Sequence, residues 1–149
     1  MNYTLAEKKI KDIICSSCDS SKILAEVVDF LYKNFNHYSW VGIYLVKDDY
    51  LVLGPWKGLQ ATGHTRIPIG KGICGSAAAI GKTEVIPDVN ADSRYLSCFV
   101  TTKSEIVVPI NKNKKIIGEI DIDSDIKDAF TRKDVVFLKK VADMLGKHI

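Results

Sequence analysis

Between Lys115 and Ser124 the chain alternates with a period of two. Ile116, Gly118, Ile120 and Ile122 fall on one parity, and Glu119, Asp121 and Asp123 on the other. Successive side chains of a strand point to opposite faces, so this segment specifies a β-strand with an apolar face and a carboxylate face. Like charges stacked on one face repel unless water or a cation satisfies them. The acidic face is therefore either solvated surface or the wall of a pocket that binds an ammonium group. Glu105, on the strand expected to pair with this one, can join that wall. Crowded carboxylates push one pKa upward, which leaves a proton donor near neutral pH.

A strand with one apolar face needs partners and a cover, and the rest of the sequence supplies both. Ile106–Ile110 and Lys115–Ser124 form a hairpin around Asn111–Lys114, and Trp40–Lys47 with Tyr50–Trp56 form another across Asp48-Asp49. Thr65–Ile69 and Thr83–Ile86 read as shorter strands, the second followed by the polar loop Pro87–Ser93. Leu5, Ile10, Ile13 and Ile14 make a weak helical stripe. Ile23, Leu24, Val27, Val28, Leu31 and Phe35 make a strong one, opened by Asp19 or Ser20. Ser76–Ile80 reads as a short helix that Gly81 ends. Thr131 caps the last helix, Asp134 completes a capping box, and Phe130 staples onto Val135, ahead of Leu138, Ala142 and Leu145. This order predicts one α+β domain over residues 1–149 with a largely antiparallel sheet.

At this length about 70% of the unfolded surface is buried, enough for a core without staples. A net charge of +3 with no basic stripe gives no case for a nucleic-acid partner. The longest apolar run, Trp40–Val46, has seven residues, against about 20 for a membrane span. No secretory signal is visible, and four cysteines do not make a disulfide scaffold. A reduced cytoplasm is the expected compartment, with no membrane partner.

Four cysteines carry the nucleophilic chemistry available. Cys74 lies in Gly70-Lys-Gly-Ile-Cys-Gly-Ser76 at the start of the short helix, where backbone N–H groups and the helix dipole favour a thiolate and the glycines let backbone approach a ligand. The alternative is a small buried thiol where a helix packs tightly on the sheet. Cys98 lies in Arg94-Tyr-Leu-Ser-Cys-Phe-Val100, with Arg94 and Lys103 close enough in sequence to lower its pKa; it is otherwise an inert half-buried thiol. Cys15-Ser-Ser-Cys18 follows a helix, unlike a redox CxxC, and one such pair is half a zinc site, so no metal is expected. Trp40 and Tyr44, four apart on a strand, share a face that is either core or site. His37, His64 and His148 form no ligand cluster.

Taken together, Trp40-Val-Gly-Ile-Tyr44, Leu51-Val-Leu-Gly-Pro55, Arg66-Ile-Pro-Ile-Gly-Lys-Gly-Ile-Cys-Gly75, Pro87-Asp-Val89, Ser104-Glu-Ile-Val-Val-Pro109 and Gly118-Glu-Ile-Asp-Ile-Asp-Ser124 resemble the free methionine-(R)-sulfoxide reductases, which are single-domain GAF proteins. The resemblance runs from about Trp40 to Ser124. It implies a GAF-like, six-stranded, mainly antiparallel sheet with N- and C-terminal helices packed on it, a small closed pocket, and reduction of free methionine-R-sulfoxide. By motif match, Cys98 corresponds to the nucleophile and Cys74 to the cysteine that resolves it. Glu105, Asp121 and Asp123 correspond to the acidic pocket residues, and Trp40 and Tyr44 to the aromatic wall.

The implied reaction starts with attack of Cys98 on the sulfoxide sulfur while a protonated carboxyl protonates its oxygen. Cys98 becomes a sulfenic acid, which Cys74 converts to a disulfide that a thioredoxin-like reductant opens. No bound cofactor is implied, and a homodimer is. The sequence departs from the family at His64, where many members have a third cysteine ten residues before the one matching Cys74. It departs again at Asn90, Tyr95 and Phe99, where some members carry histidines around the nucleophile. The rival reading is a GAF module that senses a small ligand or a redox change without turnover.

Overall fold

Both N-terminal amphipathic segments are helices in the computed structural model, which describes residues 1–149. Helix α1 spans Tyr3–Cys15 and α2 spans Ser20–Asn34. Asn2 caps the first by accepting from the N–H groups of Thr4 and Leu5, and Asp19 caps the second by accepting from Ser21 and Lys22. The buried stripe of α1 is Ala6, Ile10 and Ile14, whereas Leu5 is exposed. The apolar face thus lies one position round from the expected one, because small Ala6 seats the helix against its neighbours and Leu5 turns outward.

Strands β1 (Trp40–Lys47), β2 (Tyr50–Gly58), β3 (Arg66–Pro68), β4 (Glu84–Ile86), β5 (Ser104–Lys112) and β6 (Lys115–Ser124) form one sheet in the order β3-β2-β1-β6-β5-β4. Every pairing is antiparallel. The two central hairpins close directly, with Lys47 opposite Tyr50 and Lys112 opposite Lys115. Asp48, Asn113 and Lys114 supply the positive φ values that tight hairpin turns require.

One face of the sheet carries α1, α2 and the C-terminal helix α4 (Arg132–His148) over the main core. Ile43, Ile106, Val108, Ile120 and Ile122 project there from three central strands, onto Leu31, Phe137, Leu138 and Leu145. The capping box of α4 forms as the sequence predicts. Asp134 goes further than a cap. Its Oδ1 accepts from the hydroxyls of Tyr3 and Tyr38 and from His37 Nε2, at 2.8, 2.8 and 2.9 Å. One buried carboxylate thereby ties α1, the segment before β1 and α4 together. Burial works to raise its pKa, but His37, the Thr131 N–H and hydroxyl, and Tyr38 outweigh that and hold it far below the usual carboxylate range.

The opposite face carries only α3 (Gly72–Ile80) and the connections around it, over a smaller cluster that includes Trp40, Tyr44, Leu51, Ile73 and Val107. Helix α3 begins four residues earlier than Ser76, so Cys74 sits within its first turn. A Cβ at Gly75 would lie 2.5 Å from the Pro68 carbonyl oxygen. The glycine there serves close packing of α3 on β3 rather than approach of a ligand.

Candidate active site

The parity of β6 and its register against β5 assemble an acidic wall on the α3 side of the sheet. Glu105 stands directly opposite Asp123, and Val107 opposite Asp121. Glu105, Asp121 and Asp123 are 5%, 4% and 4% exposed, so the solvated-face reading is excluded. No lysine or arginine pairs with any of them. Burial pushes each carboxyl upward, that of Asp121 to about 7. Repulsion by Asp121 adds to the rise at Glu105 and Asp123. Burial and mutual repulsion therefore favour the protonated form of these carboxyls, and a bound cation would offset both.

These carboxyls line a narrow cleft, with a cavity of only about 20 Å³, together with Tyr44, His64, Lys71, Cys74, Tyr95 and Cys98. A wider groove between the N-terminus and α4 is lined by Met1, Tyr3, Arg132, Val136 and Lys140 and has no cysteine or histidine on its walls. The cleft, not the groove, is where nucleophiles and acids converge.

The burial of both thiols follows the second of the two readings given for each, and neither has the activating surroundings of the first. Cys74 is buried, and its Sγ contacts Glu105 Oε1 at 3.7 Å. Burial, then the charges of Asp121, Glu119 and Glu105, push its thiol well above the ordinary range, so the dipole of a nine-residue helix does not make a thiolate here. Cys98 is half-buried on the connection between β4 and β5. Arg94 is not its activator, because the guanidinium binds Asp92 and Glu84 at 2.8–3.3 Å. Burial, Asp121, Asp123 and Glu105 raise the Cys98 thiol to about 12, with the Thr62 hydroxyl pulling the other way.

The polar neighbour of Cys98 is one that spacing alone missed: His64 Nδ1 lies 3.0 Å from its Sγ. Thirty-four residues separate the two, so no local motif joins them. Only the match of position 64 to a family cysteine marked the place.

Tyr44 lines the cleft, and its hydroxyl donates to the His64 carbonyl at 2.7 Å. Trp40 stands one step aside, opposite Asp123 on the neighbouring strand. Its indole lies flat over Gly42 and Gly58, where any Cβ would come within 2.2–2.3 Å of the ring, and it stacks on Trp56. The Trp40 Nε1–H is buried without a partner, as are one oxygen of Asp121 and both of Glu119. Glu119 shares the acidic parity of β6 but does not line the cleft. Cys15 and Cys18 are exposed free thiols at the junction of α1 and α2, far along the chain from the cleft residues. Cys74, Glu105 and Asp121 bring one ligand atom each within 4.8 Å, the one grouping that could hold a cation in place of protons.

A six-stranded antiparallel sheet with helices on one face and a covered cleft on the other defines the GAF class, and residues 19–149 match the GAF domain family. Within that class, the chain belongs to the free methionine-R-sulfoxide reductase family. It is 39% identical to the free methionine-R-sulfoxide reductase of Escherichia coli, over 83% of this chain and 74% of that one. The Saccharomyces cerevisiae enzyme of the same name is 36% identical over 90% of this chain and 74% of its own length. Among solved structures, the free methionine-R-sulfoxide reductase of Neisseria meningitidis in complex with its substrate superposes with a TM-score of 0.93. That match has 36% identity and covers 98% of this chain and 87% of that one.

Proposed function

We propose that this chain reduces free methionine-R-sulfoxide to methionine, with Cys98 as nucleophile. The observation that carries the reading is a half-buried thiol facing three buried carboxyls that have no basic partner, in a chain related to enzymes of that name. Cys98 sulfur attacks the sulfoxide sulfur, and a protonated carboxyl of the wall gives its proton to the sulfoxide oxygen. The transient S–S bond then breaks with its electrons going to methionine, the methionine S–O bond is exchanged for a Cys98 S–O bond, and methionine leaves reduced while Cys98 becomes a sulfenic acid. The remaining carboxylates receive the substrate's α-ammonium, which a methionine inside a peptide lacks. That accounts for selection of the free amino acid. Cys74, on the same cleft, condenses with the sulfenic acid to release water and form a disulfide, and an external dithiol of thioredoxin type reduces it. A disulfide needs the two Cα atoms within about 4.4–6.8 Å, and the segment 96–101, outside any helix or strand, is the element that can adjust to make it.

The test is thioredoxin-coupled NADPH oxidation with free R-sulfoxide, free S-sulfoxide and a peptide-bound sulfoxide, beside Cys98→Ser and Cys74→Ser. Turnover confined to the free R form and abolished in Cys98→Ser is the expected result. Turnover of Cys74→Ser with dithiothreitol but not with thioredoxin separates the resolving step from the chemical one. Silence with both reductants would leave the chain a sensing module.

A further inference from the structure

We infer that His64 is the proton acceptor of Cys98, forming with it the imidazole–thiol pair that supplies the attacking thiolate. The contact is direct, Nδ1 to Sγ at 3.0 Å, and His64 makes no other side-chain hydrogen bond. Its backbone is held on both polar groups. The N–H donates to Thr62 Oγ1 at 3.1 Å, and the carbonyl accepts from Tyr44 at 2.7 Å. The imidazole is thus aimed from a residue anchored to β1 as well as to its own loop.

The need for such a base follows from everything else around the thiol. Tyr44 reaches the cleft from β1, Lys71 and Cys74 from the start of α3, Tyr95 from the connection to β5, Glu105 from β5, and Asp121 and Asp123 from β6. The acids and their burial hold the Cys98 proton on sulfur, as does the Leu96 carbonyl, which the thiol approaches at 3.5 Å. Among the polar neighbours the Thr62 hydroxyl alone favours a thiolate by contact, and a hydroxyl can donate a hydrogen bond to sulfur but cannot take its proton. His64 carries the one imidazole nitrogen within hydrogen-bond reach of Sγ, and so the one group placed to take its proton directly. Proton transfer breaks the S–H bond and forms an N–H bond at Nδ1, with no change of oxidation state. The resulting imidazolium offsets the field of the wall.

The pair's part in turnover rests on the function proposed above, but its existence can be measured without a sulfoxide. Alkylation of the reduced full-length protein by iodoacetamide is followed from pH 5.5 to 9, with Cys98 and Cys18 quantified separately by peptide mass mapping. Wild type, His64→Asn and His64→Ala are compared. Cys18, exposed between α1 and α2, reports any loss of reagent, and Cys74, buried in the native protein and quantified with it, reports any loss of fold. The expected result is a Cys98 rate at pH 7 at least tenfold lower in both variants, its pH profile shifted upward by a unit or more, while Cys18 is unchanged. Added imidazole should restore part of the His64→Ala rate. Superimposable Cys98 profiles in wild type and both variants would overturn the pair, whatever the turnover assay finds.

Discussion

Glu119 is fully buried on the acidic parity of β6, faces Tyr44 on one neighbouring strand and Pro109 on the other, and has no N–H or hydroxyl partner on either oxygen, only a weak interaction with the Cys74 thiol. Replacing it with methionine keeps the length of the side chain and removes the orphaned polar atoms. A buried polar group left unsatisfied costs about 1–3 kcal/mol, and buried charges replaced by apolar residues of similar volume commonly gain stability. Glu119→Met should therefore be more stable than wild type by about 2 kcal/mol near neutral pH. For a domain of this size that is a rise in Tm of about 4–8 °C.

The gain must also depend on pH, with a definite sign. Burial, reinforced by Asp121, raises the Glu119 carboxyl well above its ordinary range. A carboxyl raised in the native state binds more protons folded than unfolded, so wild-type stability falls as pH rises from its unfolded value of about 4.3 toward the folded one. The advantage of Glu119→Met should then be smallest near pH 4 and grow toward pH 8. Differential scanning calorimetry at pH 4, 6 and 8 reads both quantities. A variant less stable than wild type at all three, or an advantage that does not grow with pH, would refute the premise of an unpaired buried carboxyl.

Two further outcomes follow from the site and the core. Asp123→Asn and Glu105→Gln should each lower kcat/KM for free methionine-R-sulfoxide by at least about thirtyfold, since truncating a buried charge partner costs about 2–5 kcal/mol. Iodoacetamide alkylation of Cys98 should hold or quicken, because both carboxylates raise its pKa; turnover within threefold of wild type would sink the ammonium-binding role. Asp134→Asn should lose about 3 kcal/mol in urea unfolding at pH 7, as the acceptor of Tyr3, Tyr38 and His37 loses its charge. Because the folded Asp134 pKa is depressed, its contribution is complete above the unfolded value of about 3.9 and is lost as pH falls toward the folded one, so wild type should weaken there more steeply than the variant.

Much of the architecture was legible from short-range rules, because the signals involved act over a few residues. The period-two run placed β6 to the residue, the apolar run before Asp48-Asp49 placed β1, and Thr131 with Asp134 placed the start of α4. Boundaries slipped where packing outweighed local preference. Gly72–Gly75 belongs to α3, whose first turn closes with the Gly75 N–H donating to the Lys71 carbonyl, and Ser104 and Glu105 belong to β5 because β6 extends opposite them. Leu5 turned outward because Ala6 fits more closely beneath the other helices.

Chemistry divides along the same line. By itself the sequence determined that Glu119, Asp121 and Asp123 share a face and that Trp40 and Tyr44 project together, since strand parity settles both; it allowed Glu105 to join the acids, and the β5–β6 register placed it there. Tertiary structure alone decided that the acidic face is covered rather than wet, which raises its carboxyls above the ordinary range. It also withheld Arg94 from Cys98 by engaging it with Asp92 and Glu84, and set His64 against the thiol instead. The physical reason is that protonation depends on solvent exclusion and on charges within a few ångströms. Those neighbours come from strands and loops distant in the chain, where no periodicity reaches.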